Sequence, residues 1–509
     1  IDMKHDLRFI HKPGDFLARP GVVDSVGSAV LNPKEEESDD FSAEKVVMVA
    51  LEDGRFKYYC SVGAHAKGGM WGNILIGVKP TKNLKQPQKS SHSGVRHKDG
   101  GGTHEMNAVT NINDPMERES SGTAWVPDSS PHAALSRGFS GGVSTMLMGN
   151  MFLRYTRVNT TRDLSIGGKG GRERFDAPTM FMASYSRPLG SKALVGVRTM
   201  LSLDPIIEKG YGYPLLYQSG EQFRGLPIHD RQHPHDLVNE LAVSVSYRVN
   251  DDAAVYLYSG LPGEPALGPP MYLHRPSGRN NPDAPISHHW QDATHISYGV
   301  LTGGVSFRKA KGEFSVFNGT EPNENRYNFD RPKLNSYSGR FSVNPTRNFA
   351  IQVSHGYLRN PEPREPEIRI LRKTSASLIH NIAWNNDRSM ATSVVWGRNH
   401  ANGEGTNSFL AEGNYDFSKN AAFWRFETVG KTGHDLALHH PFEDHDIFNV
   451  SKISIGYVRD LFRDRGLDVG LGGALSINRN PETLAPVYGG TLHSGWQLFL
   501  RLRPTSKGH

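Results

Sequence analysis

The chain has 509 residues, with 58 basic and 52 acidic side chains that leave a net charge of +6. So mild and dispersed a charge does not indicate a nucleic-acid-binding protein, and the single cysteine excludes an intramolecular disulfide. No run of about 18 apolar residues is present, so we expect no transmembrane helix, although transmembrane β-strands would leave only a weak hydropathy signal.

Residues 1–78 contain short strands and turns, and one loop carries three potential copper ligands. These are Cys60, His65 and Met70, which follow an aromatic-rich strand and precede another strand. A type 1 copper site needs two imidazoles and a thiolate near one plane, with a weak axial thioether. Taken singly, Cys60 and Met70 would be ordinary buried residues. Together with the strand–loop–strand context, they predict a copper site.

The second imidazole must come from a distant strand. His5, which is followed by an aspartate, suits this role better than His11, which is followed by Lys-Pro-Gly. With the ligand types in this order along the chain (His, Cys, His, Met), the region resembles the plastocyanin/azurin family of cupredoxins. The resemblance implies a small Greek-key sandwich, type 1 copper and single-electron transfer. It implies the ligands His5, Cys60, His65 and Met70. Only four residues precede His5, so we expect either that the domain lacks its first strands or that another segment completes the sheet.

Residues 79–140 differ in composition from the segments on either side. Lysines and arginines precede a Gly-Gly-Gly run and a stretch rich in Ser, Asn and Pro. Such a composition predicts a linker or an irregular insert. We expect residues 79–140 to be either a linker or a plug in the lumen of the following domain.

Residues 141–509 show the period-two alternation of β-strands. In segment 237–249, for example, Leu241, Val243 and Val245 alternate with polar residues. About sixteen such segments occur up to residue 503, and short turns alternate with long loops. An even strand number with this alternation is typical of an outer-membrane β-barrel, whose short turns face the periplasm. The alternative is a soluble β-sandwich or propeller. The predicted fold is all-β: a cupredoxin-like sandwich, then an antiparallel transmembrane barrel of about 16 strands.

Two stretches of the predicted barrel, 263–270 and 288–295, resemble a group of uncharacterised predicted outer-membrane proteins. The resemblance implies an envelope location and no particular reaction. With sixteen strands, both ends of the barrel are expected in the periplasm of a bacterial cell. The N-terminal domain is expected there too, unless residues 79–140 thread the lumen.

The long loops are rich in histidine. Imidazole and carboxylate are common ligands of Cu, Zn and Ni, so a second metal site is one interpretation, and ordinary hydrogen bonding between polar loops is the other. The candidate ligands are His229, His233, His235, His274, His288, His289 and His295.

Five methionines share the face that alternation assigns to the lumen. Thioethers are soft ligands that suit Cu(I), whereas packing against an inserted plug is the simpler explanation. The residues are Met146, Met148, Met180, Met182 and Met200.

These features predict an outer-membrane β-barrel with a type 1 copper centre for single-electron transfer at the cell envelope. The alternative is a copper-handling porin or transporter whose cupredoxin domain receives or delivers copper. A copper oxidase is disfavoured because the one His-x-His pair lies far from Cys60 along the sequence. We therefore expect electron transfer or metal handling and not catalysis. The expected partners are the lipid bilayer, a redox protein such as a cytochrome or a copper donor, and the rest of a larger envelope complex.

Overall fold

The structure is a computed structural model, and it describes three short N-terminal strands and most of the chain from residue 108 onward. The described ranges are 8–10, 54–59, 71–76, 108–131, 134–219, 221–363, 365–385, 388–464 and 466–505. The predicted copper ligands His5, Cys60, His65 and Met70, and the alternative His11, lie outside these residues. Their assignment stays a prediction.

The N-terminal strands form one small antiparallel sheet in which the second strand pairs with both others. They are β1 (Arg8–Ile10), β2 (Gly54–Tyr59) and β3 (Trp71–Ile76). β2 ends immediately before Cys60, and β3 begins immediately after Met70. The chain divides into two compact units, Ile1–Ser93 and Gly94–His509. The strands described in the first unit do not by themselves make the expected Greek-key sandwich, which stays a prediction.

From Ala134 onward the chain forms a closed antiparallel β-barrel, starting before the expected boundary at residue 141. The strands are β4 (Ala134–Gly138), β5 (Ser144–Val158), β6 (Glu173–Asp176), β7 (Thr179–Leu189), β8 (Ala193–Leu201), β9 (Tyr213–Pro214), β10 (Gln222–Phe223), β11 (Leu226–Pro227), β12 (Arg231–Gln232), β13 (Val238–Arg248), β14 (Ala253–Gly260), β15 (Val300–Phe307), β16 (Ala310–Phe317), β17 (Ser336–Val343), β18 (Phe349–Arg359), β19 (Ile370–Asn385), β20 (Arg388–Ala401), β21 (Glu404–Phe417), β22 (Asn420–Thr432), β23 (Ile447–Asp464), β24 (Leu467–Arg479) and β25 (Leu492–Pro504). The two-residue strands β9 to β12 belong to the loop between β8 and β13.

The barrel has sixteen strand positions, which confirms the predicted number. β4 and β25 pair with successive parts of one edge of β5. β6 and β7 pair with successive parts of its other edge. β5 therefore closes the barrel. The short strand β4 shares one position with β25, and the short strand β6 shares another with β7.

The two faces of the wall differ as the period-two pattern predicts. On β13, Leu241 and Val243 are exposed on the outside, whereas Glu240 and Ser244 are buried on the inside. The outer face is apolar along the other strands as well, while the inner face carries buried serines, asparagines and ion pairs. The polar inner face is in contact with protein, as described below.

The connections alternate between short and long as expected, with one correction. The loop expected at 401–406 is a two-residue turn that joins β20 to β21. Its central residues, Asn402 and Gly403, have φ values of 50° and 90°. Asn-Gly is favoured in such hairpin turns because both central residues need positive φ.

The helices of the described residues are short. They are α1 (Asp204–Glu208), α2 (His288–Gln291), α3 (Ala485–Tyr488) and the 3-10 turns Met116–Arg118, Ser140–Gly142, Tyr272–His274, Ala293–His295 and Glu482–Leu484. None of the described helices has the length and apolar character needed to cross a membrane.

Residues 108–131, here called the inner segment, lie inside the barrel near its short turns. The Asn113 side chain donates to the carbonyl of Asn250 at 3.1 Å, and the Ser129 amide donates to the carbonyl of Arg347 at 2.9 Å. Further in, the hydroxyl of Ser244 on β13 donates to the carbonyl of Val109 at 2.9 Å. The inner segment therefore crosses the short-turn end of the lumen.

Residues 261–299, here called the lumen loop, connect β14 to β15 and fold into the barrel. Almost all of them are buried. The loop reaches the opposite wall, where the Ser287 hydroxyl donates to Glu427 on β22 at 2.9 Å. It also meets the inner segment, because the Met271 amide donates to the Ser121 hydroxyl at 2.9 Å. Two protein segments thus occupy the lumen.

Candidate functional site

The lumen loop is held to the wall by buried ion pairs. Asp283 accepts hydrogen bonds from Arg154 at 2.6 Å and from Lys452 at 2.7 Å. Arg275 donates to Glu412 of the wall at 2.7 Å, and within the loop it donates to Asp292 at 2.8 Å. Because these partners are buried, removing Asp283 would take away the one carboxylate that pairs with Lys452 among the ion pairs described. These contacts fix the position of the histidines that the loop carries.

Five of the candidate histidines form a closed circuit of neighbouring rings, here called the histidine ring. They are His233, His235, His288, His289 and His295. The ring centroids of His235 and His295 are 5.4 Å apart, and those of His288 and His295 are 5.0 Å apart. His233 is 6.0 Å from both His235 and His289, and His288 is 5.6 Å from His289. The strand pair β9–β12 leads into the first two histidines, and α2 and the following 3-10 turn carry the other three.

Acceptors orient the Nδ1 atoms of the ring. His235 Nδ1 lies 2.8 Å from Asp204, and His288 Nδ1 lies 2.6 Å from Asp292. His295 Nδ1 lies 2.9 Å from the carbonyl of Asp292. An Nδ1–H that donates to such an acceptor leaves Nε2 with its lone pair. The Nε2 atoms of His235, His289 and His295 are buried and have no hydrogen-bond partner.

Burial keeps several of these imidazoles neutral. It lowers the pKa of His288, although Asp292 opposes the shift. Burial and neighbouring imidazoles lower the pKa values of His233 and His295 well below the ordinary value. Burial raises the pKa of Asp292, but its close contacts with His288 and Arg275 outweigh burial and lower the pKa. Neutral imidazole is the form that binds metal ions.

A group of possible metal ligands adjoins the ring at His289. The ligand atoms of His289, Glu321 and Glu362 all lie within 4.8 Å of one another. His289 Nδ1 is 3.3 Å from Glu321, and both side chains are partly exposed, at 12% and 21%. Burial and the charge of Glu321 raise the pKa of Glu362 well above its ordinary value. Burial also raises the pKa of Glu321, but His289 lowers it to about 2.

The other two predicted histidines lie apart from the ring contacts. His229 Nδ1 is 3.0 Å from Asp230 and 3.2 Å from the guanidinium of Arg162. His274 ends a 3-10 turn, and its carbonyl accepts a hydrogen bond from Ser120. The structure therefore assembles five of the seven candidates.

All five methionines lie on the inner face of the wall, as alternation predicts. Met180, Met182 and Met200 belong to the main buried apolar cluster, and Met146 and Met148 pack against it. The cluster contains aromatic and aliphatic side chains of several loops. This environment supports packing rather than Cu(I) binding as their role.

Sequence reasoning missed both glutamates of the His289 group. Glu321 follows β16 and Glu362 follows β18, in loops that are separate from the lumen loop along the chain. The local sequence carries no signal for either, because their proximity depends on how three loops fold together.

No family model and no curated protein matches this chain. Among solved structures, the barrel is similar to an anion-selective porin from Comamonas acidovorans, with 12% identity and a TM-score of 0.40 over 71% of this chain and 99% of the porin. It is also similar to OmpF of Salmonella typhi, with 9% identity and a TM-score of 0.44 over 72% of this chain and 100% of that one. The outer membrane channel DcaP of Acinetobacter baumannii has 8% identity and a TM-score of 0.36, over 72% of this chain and 99% of the channel.

Proposed function

We propose that this chain forms a bacterial outer-membrane β-barrel whose lumen is closed to free diffusion. The barrel anchors the N-terminal unit at the cell envelope. The observation that carries this proposal is the filled lumen: the inner segment and the lumen loop both bind the inner wall and each other. A barrel of this strand number otherwise encloses an aqueous channel.

The outer surface supports insertion into a lipid bilayer. Large apolar side chains are exposed on the outside of strand after strand, as on β25, where Leu498 is 60% exposed, and on β24, where Leu475 is 62% exposed. A water-soluble protein rarely exposes so large an apolar surface. A closed barrel also leaves no unpaired strand edge in the hydrocarbon region.

The closure extends over both halves of the lumen. At the short-turn end, Lys311 and Arg340 donate to the carbonyl and hydroxyl of Thr123 in the inner segment. Two cavities between this segment and the wall have volumes of about 10 Å³ each, which is room for about one water molecule. Toward the long loops, the lumen loop fills the remaining section. We therefore expect the two segments together to block the passage of small solutes.

Conductance in planar bilayers tests the closure. We expect the intact protein to conduct poorly and deletion of residues 108–131 to raise conductance severalfold. The double variant K311A/R340A, which keeps the segment but removes two of its donors, should give intermittent openings. R308A is a matched control, because Arg308 pairs with Asp252 at an exposed short turn. Large, steady conductance of the intact chain would overturn the proposal.

For the N-terminal unit we propose type 1 copper and single-electron transfer, with copper delivery as the alternative. The pairing of β2 with β3, the antiparallel strands on either side of residues 60–70 in the chain, supports this proposal. β1, which pairs with β2, begins three positions after His5. A thiolate-to-copper absorption band is the test.

A further inference from the structure

We propose that the histidine ring, with Glu321 and Glu362, binds divalent transition-metal ions inside the barrel. The ligand class is a borderline cation such as Zn²⁺, Cu²⁺ or Ni²⁺. This site is distinct from the copper site expected in the N-terminal unit, and it goes beyond the closed-barrel function proposed above.

The first argument is the geometry of the His289 group. One imidazole nitrogen and two carboxylates lie within 4.8 Å of one another, a spacing that a single cation between them would require. The three side chains come from three different loops. All three are partly exposed, so an ion can reach them from solvent. They form the outer end of the site.

The second argument is independent of the carboxylates. The Nε2 atoms of His235, His289 and His295 are buried without a partner. Leaving a buried polar atom unsatisfied costs about 1–3 kcal/mol, and an ion bound among these imidazoles would offset that cost. Among these residues His235 and His295 are 4% and 6% exposed. They extend the site into the lumen.

The third argument is the orientation of the imidazoles. Nδ1 of His235 and of His288 faces a carboxylate, and Nδ1 of His295 faces a backbone carbonyl. Metal-binding histidines usually donate their second nitrogen to such a group, which orients the ring. Two imidazoles on one tetrahedral ion have centroids about 5 Å apart, given metal–nitrogen bonds of about 2.0–2.1 Å. The centroid distances of 5.4 Å between His235 and His295 and 5.0 Å between His288 and His295 fit this spacing.

The donor set fixes the class of metal. It consists of imidazole nitrogen and carboxylate oxygen, and the only cysteine of the chain, Cys60, belongs to the other unit. Nitrogen and oxygen donors suit Zn²⁺, Cu²⁺ and Ni²⁺, whereas thiolates and thioethers select Cu⁺. We therefore expect weak binding of Ca²⁺ and Mg²⁺, which prefer sites made of oxygen ligands alone.

Calorimetric titration of the full chain in detergent micelles with Zn²⁺ tests the proposal. The background is C60S, so that the N-terminal thiolate does not contribute. We expect H289A and H295A each to weaken Zn²⁺ binding at least tenfold, and E362Q to weaken it severalfold. H445A is the matched control and should change nothing, because His445 is exposed at 67% and pairs only with the exposed Glu443 among the ion pairs described.

A spectroscopic measurement keeps the result interpretable. Cu²⁺ bound to the C60S protein should show nitrogen hyperfine couplings from imidazole, and H295A should remove part of them. Conservative H295Q controls for loss of packing, and thermal unfolding shows whether each variant folds. The proposed site would be overturned if H289A and H295A each left Zn²⁺ binding unchanged. It would also be overturned if the C60S protein bound Zn²⁺ no more tightly than the same protein carrying both histidine substitutions. Either result leaves the conductance of the intact barrel, and so the proposed closure, untouched.

Discussion

At the scale of single residues, Asp283 shows how charge holds the lumen loop to the wall. It lies in the lumen loop and accepts from Arg154 and Lys452 of the wall, and its carbonyl accepts from Arg425 at 2.7 Å. Burial raises the pKa of Asp283, but the charges of Lys452 and Arg154 outweigh it and lower the pKa to about 2. The side chain is therefore a carboxylate at neutral pH.

We expect D283N to lower the free energy of unfolding by about 3–5 kcal/mol at neutral pH, because it removes the carboxylate that pairs with the buried Lys452 and one of the two that pair with Arg154. A carboxylate with a lowered folded pKa stabilises the fold above its unfolded pKa of about 4. That contribution is lost as the pH falls through about 2. The difference between the wild type and D283N should therefore shrink on acidification below about pH 4. Unfolding in micelles at several pH values measures it.

The control for this prediction is D252N. Asp252 pairs with Arg308 at an exposed turn, where the two side chains are 50% and 66% exposed. An exposed pair contributes about 0–1 kcal/mol. A loss for D283N no larger than for D252N would show that the loop does not depend on its buried charges.

Residue types and spacing indicated one part of the proposed metal site and not the other. The histidine-rich loops were visible in the sequence, and five of the seven candidates meet. Which five meet depends on α2 and on the strand pair β9–β12, whose positions are set by tertiary contacts. Glu321 and Glu362 were not predictable, because a lone glutamate in a polar loop has no local signature.

At the scale of elements, the strands were predictable because one face of each must be apolar. The alternation placed the exposed Val243 outside and the buried Ser244 inside. It did not show that the inner face is in contact with protein. A water-filled lumen would tolerate arginine at Ser244 or Gln497, but Ser244 donates to Val109 and Gln497 accepts from Arg154 at 2.8 Å. Substitution there should disturb the filling of the lumen.

The outer face gives the element-scale prediction. Leu498 pairs with Gly473 in the middle of β24, whereas Leu467 pairs with Pro504 at the short-turn end. An arginine on the lipid face costs about 2–4 kcal/mol near the bilayer midplane and about 0–1 near the interface. We expect L498R to destabilise the barrel in lipid vesicles by the larger amount and L467R by the smaller. Urea titrations in vesicles would measure both. Equal effects of the two substitutions would contradict a membrane-spanning belt.

At the scale of the whole molecule, the chain divides into two compact units, residues 1–93 and 94–509. The inner segment belongs to the second unit, and its hydrogen bonds with the wall make it part of the barrel domain. The two metal sites proposed here differ in donors as well: a thiolate with imidazoles in the first unit, imidazoles with carboxylates in the second. This difference makes the two sites separable by spectroscopy.

The last prediction uses that separation. With Cu²⁺ bound, the oxidised full-length protein should show the intense visible band of a thiolate–copper bond, which nitrogen and oxygen donors do not produce. C60S should abolish the band, whereas M70L should keep it and shift the reduction potential, because the axial ligand tunes it. Since the barrel is a compact unit of its own, C60S should leave its thermal unfolding and its poor conductance unchanged. A C60S protein that stays blue would refute the copper assignment, and a barrel that unfolds at a lower temperature in C60S would refute the independence of the two units.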